Sequence, residues 1–305
     1  MATPASVDSV ALTFDDLPIA DRAASIDDAT AITSKLLAGL VRNRLPATGF
    51  VNECGLEGAD RDRRVALLEH WLEAGMDLGN HGYSHLSLTH TPVDEYIADA
   101  ARGETVTRAL LAERGRTERW YRPPYLETGP TPEVRHRVES WLASRGYRIA
   151  PVTMENSDWM FSLPYDDAVA RRDRVRTERI RRAYFNHTGR IVAWYRQAAL
   201  DLLGRRPAFV FMLHASRLNA DCIDGLAGIL RELGLHSVTL DQAMTDPAYA
   251  IADDYAGPKG DGWLTRWAAT LHKRLPWETL PSPSEAIAAA HARLAAASQQ
   301  SPPQW

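Results

Sequence analysis

The chain has 305 residues, enough for one large domain or two ordinary ones, with 45% hydrophobic and 24% charged residues. That is the composition of a folded globular protein, and it excludes a disordered, fibrous or membrane-spanning chain. Lys and Arg (35) nearly balance Asp and Glu (39), so at a formal charge of −4 no global positive field exists to hold nucleic acid or anionic lipid. Cys54 and Cys222 are too few for a disulfide scaffold or a four-thiolate zinc site and read as free thiols. No signal peptide is read in the first residues. The location stays open between the cytoplasm and, should a leader have been removed, the periplasm or exterior.

Short apolar runs alternate with amphipathic segments along the chain. Residues 10–14 read as a first strand and 28–43 as a helix with Ile32, Leu36, Leu37 and Leu40 on one face. A strand at 48–52, a helix at 61–74 and a short strand at 76–79 follow. Residues 92–114 read as one long helix opening on proline, then 120–122 as a brief strand, 133–145 as a helix and 147–153 as a fifth strand. The charged stretch 165–203 predicts one or two helices, followed by a strand at 209–214, a helix at 220–233, a strand at 237–240 and a short helix from Asp241. This alternation predicts an α/β fold with a mostly parallel sheet, better suited to a distorted (β/α) barrel of about seven strands than to an open sheet. Residues 8–247 are expected to form the catalytic domain, and 248–305 a helical C-terminal extension with a Pro-rich tail.

Polar residues collect where these strands end. Asp15 and Asp16 close the first strand, at the face where barrel active sites form, although paired Asp also make turns. His81 and His85, four residues apart after the third strand, can share a metal with a carboxylate or lie on the surface. His90 is nearby without a spacing that makes it a ligand. Arg122 ends the fourth strand, where it can hold a carboxylate by paired hydrogen bonds. The prolines after it fix the loop, so that the Tyr125 N–H can face a developing oxyanion. Asp158 and Trp159 follow the fifth strand and His214 closes the sixth; an Asp beside a His can keep it protonated as a general acid.

Taken in order, Thr13-Phe14-Asp15-Asp16, His81-x-x-x-His85, Arg122-Pro-Pro-Tyr125, Asp158-Trp159 and Leu213-His214 resemble the motifs of the polysaccharide deacetylases, the NodB-homology or carbohydrate esterase family 4 enzymes. The resemblance covers roughly residues 9–240. It implies a metal-dependent hydrolase that removes N- or O-acetyl groups from a carbohydrate. One divalent ion, zinc first and Co2+, Ni2+ or Mn2+ next, would be held by Asp16, His81 and His85. Asp15 would be the general base oriented by Arg122, and His214 the general acid paired with Asp158. Trp159 would pack against the acid, and Tyr125 would supply the backbone donor. Leu126 stands where the family often has a small residue, and Glu155 where Asp is more usual, which places the departures at the oxyanion loop and pocket rim.

Seven arginines between Arg171 and Arg182 read either as a basic rim for an anionic glycan or as a solvated helix face balanced by Asp166, Asp167, Asp173 and Glu178. Trp263 and Trp267, at i and i+4, predict a stripe docking the extension onto the barrel. The partner is expected to be an acetylated carbohydrate or other small acetylated molecule, with no nucleic acid and no membrane span. Other readings are a deacylase of a non-sugar amide or ester, a non-haem iron oxygenase using the same ligand set, and an inactive glycan-binding protein.

Overall fold

The computed structural model describes residues 8–21 and 23–300. The Pro-rich tail expected at 301–305 lies outside them. The chain runs β1 (Asp8–Leu17), α1 (Ile26–Arg42), β2 (Ala47–Val51), α2 (Arg61–Glu73), β3 (Asp77–Asn80), α3 (Val93–Arg102), α4 (Thr105–Ala112), β4 (Trp120–Tyr121), α5 (Pro132–Ser144) and β5 (Arg148–Ile149). It continues through β6 (Met154–Glu155), α6 (Asp158–Ala170), α7 (Arg174–Leu203), β7 (Phe209–His214), α8 (Arg217–Glu232), β8 (Leu235–Val238) and α9 (Leu240–Ala243), and then α10 (Trp263–Thr270) and α11 (Glu285–Gln300). Among these, no helix is long and apolar enough to cross a membrane.

All strand pairs are parallel, in the order β5-β4-β3-β2-β1-β7-β6, with β8 beside the start of β1. These seven strands curl into a distorted barrel, open between β5 and β6. β1 is buried on both faces. Val10, Leu12 and Phe14 enter the core shared with the outer helices, where Phe14 meets Trp71 edge-on, while Ala11 joins Phe50, Trp120, Ala150 and Val210 in a second cluster. Because side chains alternate along a strand, Thr13 and Asp15 follow Ala11 on that second face. The C-terminal end of the lumen is therefore a continuation of a packed apolar column.

Two elements differ from expectation. The segment 92–114 is two helices, not one, because Gly103 presses against another loop: a Cβ there would lie 2.6 Å from the Gly82 carbonyl carbon. The second helix then needs its own N-terminal partner, and the buried Glu53 carboxylate accepts from Val106 and Thr107 N–H, both at 2.8 Å. The strand expected at 147–153 is split between β5 and β6. Its middle crosses the barrel's open seam, with Ala150 N–H bonded to Tyr121 O and Thr153 N–H to Val210 O.

The insertion is α6 and α7. Arg171 and Arg176 pair with Asp167, and Arg181 and Arg182 with Glu178, so four of the seven arginines are balanced by two of the four acids named for the solvated reading, while Asp166 pairs with Arg217. Gly103→Ala forces backbone against backbone. It is expected to lower stability by about 1–3 kcal/mol in urea unfolding, and an unchanged midpoint would contradict the close approach.

Candidate active site

Asp15, Asp16, His81, His85, Tyr125, Leu126, Trp159 and His214 line one cavity of about 740 Å3 at the C-terminal ends of the strands. Arg122 and Asp158 stand behind its wall, both buried. The structure thus brings every residue singled out at the strand ends to one place.

Its backbone is strained in a way that tracks the site. Of eight non-glycine residues with positive φ among the described ones, five are Asp16, His85, Tyr125, Leu126 and Ser157. Such conformations cost energy and persist where surrounding contacts enforce them. The His81–His85 loop shows how. Asn80 Oδ1 accepts from Gly82 N–H at 2.7 Å, Asn52 Nδ2 donates to His81 O at 2.6 Å, and Asp99 on α3 accepts from Tyr83 and Ser84 N–H.

Asp16 Oδ1 lies 3.7 Å from Nε2 of both His81 and His85. Among the described residues these three form the cluster able to share a metal, their ligand atoms lying within 4.8 Å of one another. Donors at about 2.0–2.2 Å from a common tetrahedral ion stand roughly 3–3.5 Å apart, so a small contraction suffices. The tautomer also fits. His81 Nδ1–H donates to the Arg122 carbonyl at 2.7 Å, which leaves the Nε2 lone pair facing Asp16. Burial holds His81 down at about 4, so it is neutral, as a ligand must be.

Asp15 is buried, and its Oδ2 lies 3.8 Å from Arg122 Nη1 and 3.9 Å from His81 Nε2. The expected paired hydrogen bonds from Arg122 are replaced by this looser ion pair, because Arg122 Nη2 donates to Thr13 Oγ1 at 3.0 Å. Desolvation raises the Asp15 carboxyl above its ordinary range, against the attraction of Arg122 and His214. Its Oδ1 is buried with no hydrogen-bond partner among the described residues, facing the cavity it helps to line.

Opposite stands His214, whose Nδ1–H donates to Asp158 Oδ1 at 2.7 Å while its backbone N–H donates to Oδ2 at 2.8 Å. Burial opposes its charge, but Asp158, by charge and hydrogen bond, with Asp16 and Asp15 behind it, lifts it to about 10. The pair rests on a chain absent from the motif reading. Asn219 Nδ2 donates to Asp158 Oδ2 at 2.6 Å, Tyr184 Oη to Asn219 Oδ1 at 2.7 Å, and Asn156 Nδ2 to Tyr184 Oη at 2.9 Å. All three are buried.

The rim departs from expectation. Trp159 is 47% exposed, and its ring meets His291 of α11 at 5.0 Å edge-on, not His214. As the second residue of α6 its side chain is free to lean outward onto α11. Tyr125 packs edge-on to His85 at 4.5 Å. The Leu126 N–H is spent on Pro123 O at 3.0 Å, and Leu126 O accepts from Arg266.

Comparison with known proteins agrees with this geometry. The family described as Polysaccharide deacetylase matches residues 2–147. A Bacillus cereus peptidoglycan-N-acetylglucosamine deacetylase is 27% identical over 150 residues, 49% of this chain and 46% of that protein, so the match spans under half of the relative's length. A family 4 carbohydrate esterase from Streptomyces lividans, solved with acetate, superposes with TM-score 0.51 at 22% identity, over 77% of this chain and 95% of that one. A chitin deacetylase from Colletotrichum lindemuthianum gives 0.53 at 19%, over 77% and 86%. The fold is the distorted barrel of these enzymes. Over residues 2–147 the sequence is similar to the polysaccharide deacetylases, and the fold is similar to that of the family 4 carbohydrate esterases.

Two outcomes test the His214–Asp158 pair and the chain behind it. In metal-free protein the His214 imidazole should titrate near pH 10 by NMR, and Asp158→Asn should bring it to or below the ordinary 6.5; a wild-type value near 6.5 would contradict the pairing. Because the folded value is the higher, the pair's contribution to stability is full below about pH 6.5 and lost as the pH rises through the folded value. Asn219→Ala, which leaves Tyr184 without its acceptor, should cost about 1–3 kcal/mol in urea unfolding, and less than about 0.5 would contradict the network's role.

Proposed function

We propose that the protein is a metal-dependent hydrolase that removes acetyl groups from an N- or O-acetylated carbohydrate and releases acetate. The observation that carries this reading is a single cavity holding a metal-ligand triad between a buried carboxylate and a His–Asp pair. Asp16, His81 and His85 would hold the ion, zinc being the best fit to two imidazoles and one carboxylate with open positions. When bound, such an ion supplies a Lewis acid for an acyl carbonyl and makes water more acidic.

The chain's own residues do the rest. Asp15, raised by burial and paired with Arg122, takes a proton from the attacking water; a carboxylate of raised pKa is the better proton acceptor. The developing oxyanion receives the Tyr125 N–H, since the neighbouring Leu126 N–H is already used. Protonated His214 then donates its Nε2 proton to the leaving nitrogen or oxygen as the carbon–heteroatom bond breaks. Asp158 holds the other face of that imidazole, so the proton faces the cavity. An amine leaves poorly unless protonated, and an acid held at about 10 remains charged throughout the neutral range. Two groups tuned in this way supply base and acid from opposite sides. A non-haem iron oxygenase shares the ligand set but makes no use of this acid–base pair.

Asp15→Asn and His214→Ala should each lower kcat/KM about 10²–10⁴-fold in acetate release from acetylated chitin, xylan or peptidoglycan fragments; near-normal rates in either would remove its role. Chelation should abolish activity and zinc should restore it, and His81→Ala should lose stoichiometric zinc by elemental analysis. Full activity in metal-stripped protein would contradict the ligand assignment.

A further inference from the structure

The cavity over the Asp16–His81–His85 cluster is only half built by the strand ends. Its other wall comes from the segment beyond the barrel, through Gly260, Asp261, Leu264, Thr265, Trp277 and Leu280. This segment is fastened in place by Arg266, only 1% exposed, whose Nη2 donates to Leu126 O at 2.9 Å and Nη1 to Thr128 Oγ1 at 2.9 Å and Asp253 Oδ2 at 3.1 Å. Its Nε donates to Asp261 O at 2.9 Å, and its guanidinium lies 4.1 Å from the Trp263 ring. Gly260 packs so closely that a Cβ would lie 1.8 Å from the Tyr125 carbonyl oxygen. Farther along, Trp277 lies against Trp194 at 5.1 Å, and Thr279 Oγ1 accepts from Trp194 Nε1 at 2.9 Å. The wall and the Tyr125–Leu126 turn are therefore one packed unit.

The lining has a definite chemistry. Among the described residues it contains no Lys or Arg and one imidazole held protonated, His214, while Glu155 and Asp261 add two carboxyl groups to Asp15 and Asp16. Between them stand Leu126, Val152, Met154, Met212, Leu264 and Leu280. Three of the large hydrophobic side chains most exposed in the structure, Tyr125 (58%), Trp159 (47%) and Trp277 (41%), stand around this one cavity. Protonated His214 and the Asp16–His81–His85 cluster belong to the strand-end side; an anionic group held against the wall of residues 260–280 meets Asp261 with no Lys or Arg beside it among the described residues, whereas an uncharged ligand with an apolar face gains burial there.

We propose that residues 260–280 are a specificity-determining part of this pocket, which takes uncharged acylated molecules with an apolar face and rejects anionic ones. Trp277 and Asp261 set the selection and Arg266 positions the wall. The proposal rests on the deacetylase reading only for which bond is cut.

Titration calorimetry on the zinc-loaded full chain tests it with 4-acetamidobenzamide and 4-acetamidobenzenesulfonate, which share ring and acyl group; sulfonate is a weak metal ligand. Acetate release is followed in the same samples. The benzamide should bind at least about tenfold more tightly. Trp277→Ala should weaken it about five- to tenfold and Trp277→Phe should recover most of the loss, as expected for a contacting aromatic wall. Asp261→Asn should narrow the gap by tightening the sulfonate, with circular dichroism confirming that each variant is folded. Equal binding of the two probes, tighter binding of the sulfonate, or no effect of Trp277→Ala would overturn the proposal. Correctly ranked binding with no acetate release from the probes or from acetylated chitin, xylan or peptidoglycan fragments would overturn the deacetylase reading and leave the pocket assignment standing.

Discussion

One buried cation holds the C-terminal end of the barrel, where the candidate site lies, together. Arg122 has no exposed surface, and a guanidinium so placed is stable only if its surroundings answer its charge. They do so from two strands, β1 and β2. Thr13 Oγ1 accepts from it, Asp15 pairs with it, and the Phe50 ring lies 4.7 Å from its guanidinium. Its own carbonyl orients His81. Asp15, His81 and the lumen packing therefore share one partner, and a change at Arg122 reaches all three.

Around that centre the site is an arrangement of unfavourable local states held by long-range contacts. Asp16, His85, Tyr125, Leu126 and Ser157 sit in left-handed backbone, and the buried Asp15 carboxyl is pushed above its ordinary range by desolvation. The compensation is spread over residues remote in sequence: Asp99 and Asn80 for the histidine loop, Asn219 and Tyr184 for Asp158, and Arg266 for the turn after Tyr125. Preorganisation of this kind lets groups meet a developing charge without reorganising during the reaction.

This division explains what could be read from the residues alone. Asp15, Asp16, His81, His85, Arg122, Asp158 and His214 were legible because each ends a recognisable apolar strand, and a strand end is where a barrel exposes its chemistry. The barrel itself followed from the alternation of strand and helix. Asn219, Tyr184, Asp99 and Arg266 were not legible, since each is one polar residue on a helix whose partner lies tens of residues away. Asn80 did carry a signal, being the residue beside His81 that closes the turn. The long helix at 92–114 was misread because Gly103 breaks it through a tertiary contact, and tertiary context overrides local pattern. The strand at 147–153 was misread for a topological reason: it crosses the seam and must change partners midway.

The account stands or falls on what Asp16, His81 and His85 bind. X-ray absorption at the zinc edge of the zinc-loaded protein reads the ligand atoms directly. The expected spectrum has nitrogen and oxygen neighbours at about 2.0–2.2 Å with the outer-shell pattern of two imidazoles, lost in His81→Ala. A sulfur shell at about 2.3 Å, which would put Cys54 or Cys222 on the ion, or a zinc environment unchanged in that variant, would contradict it.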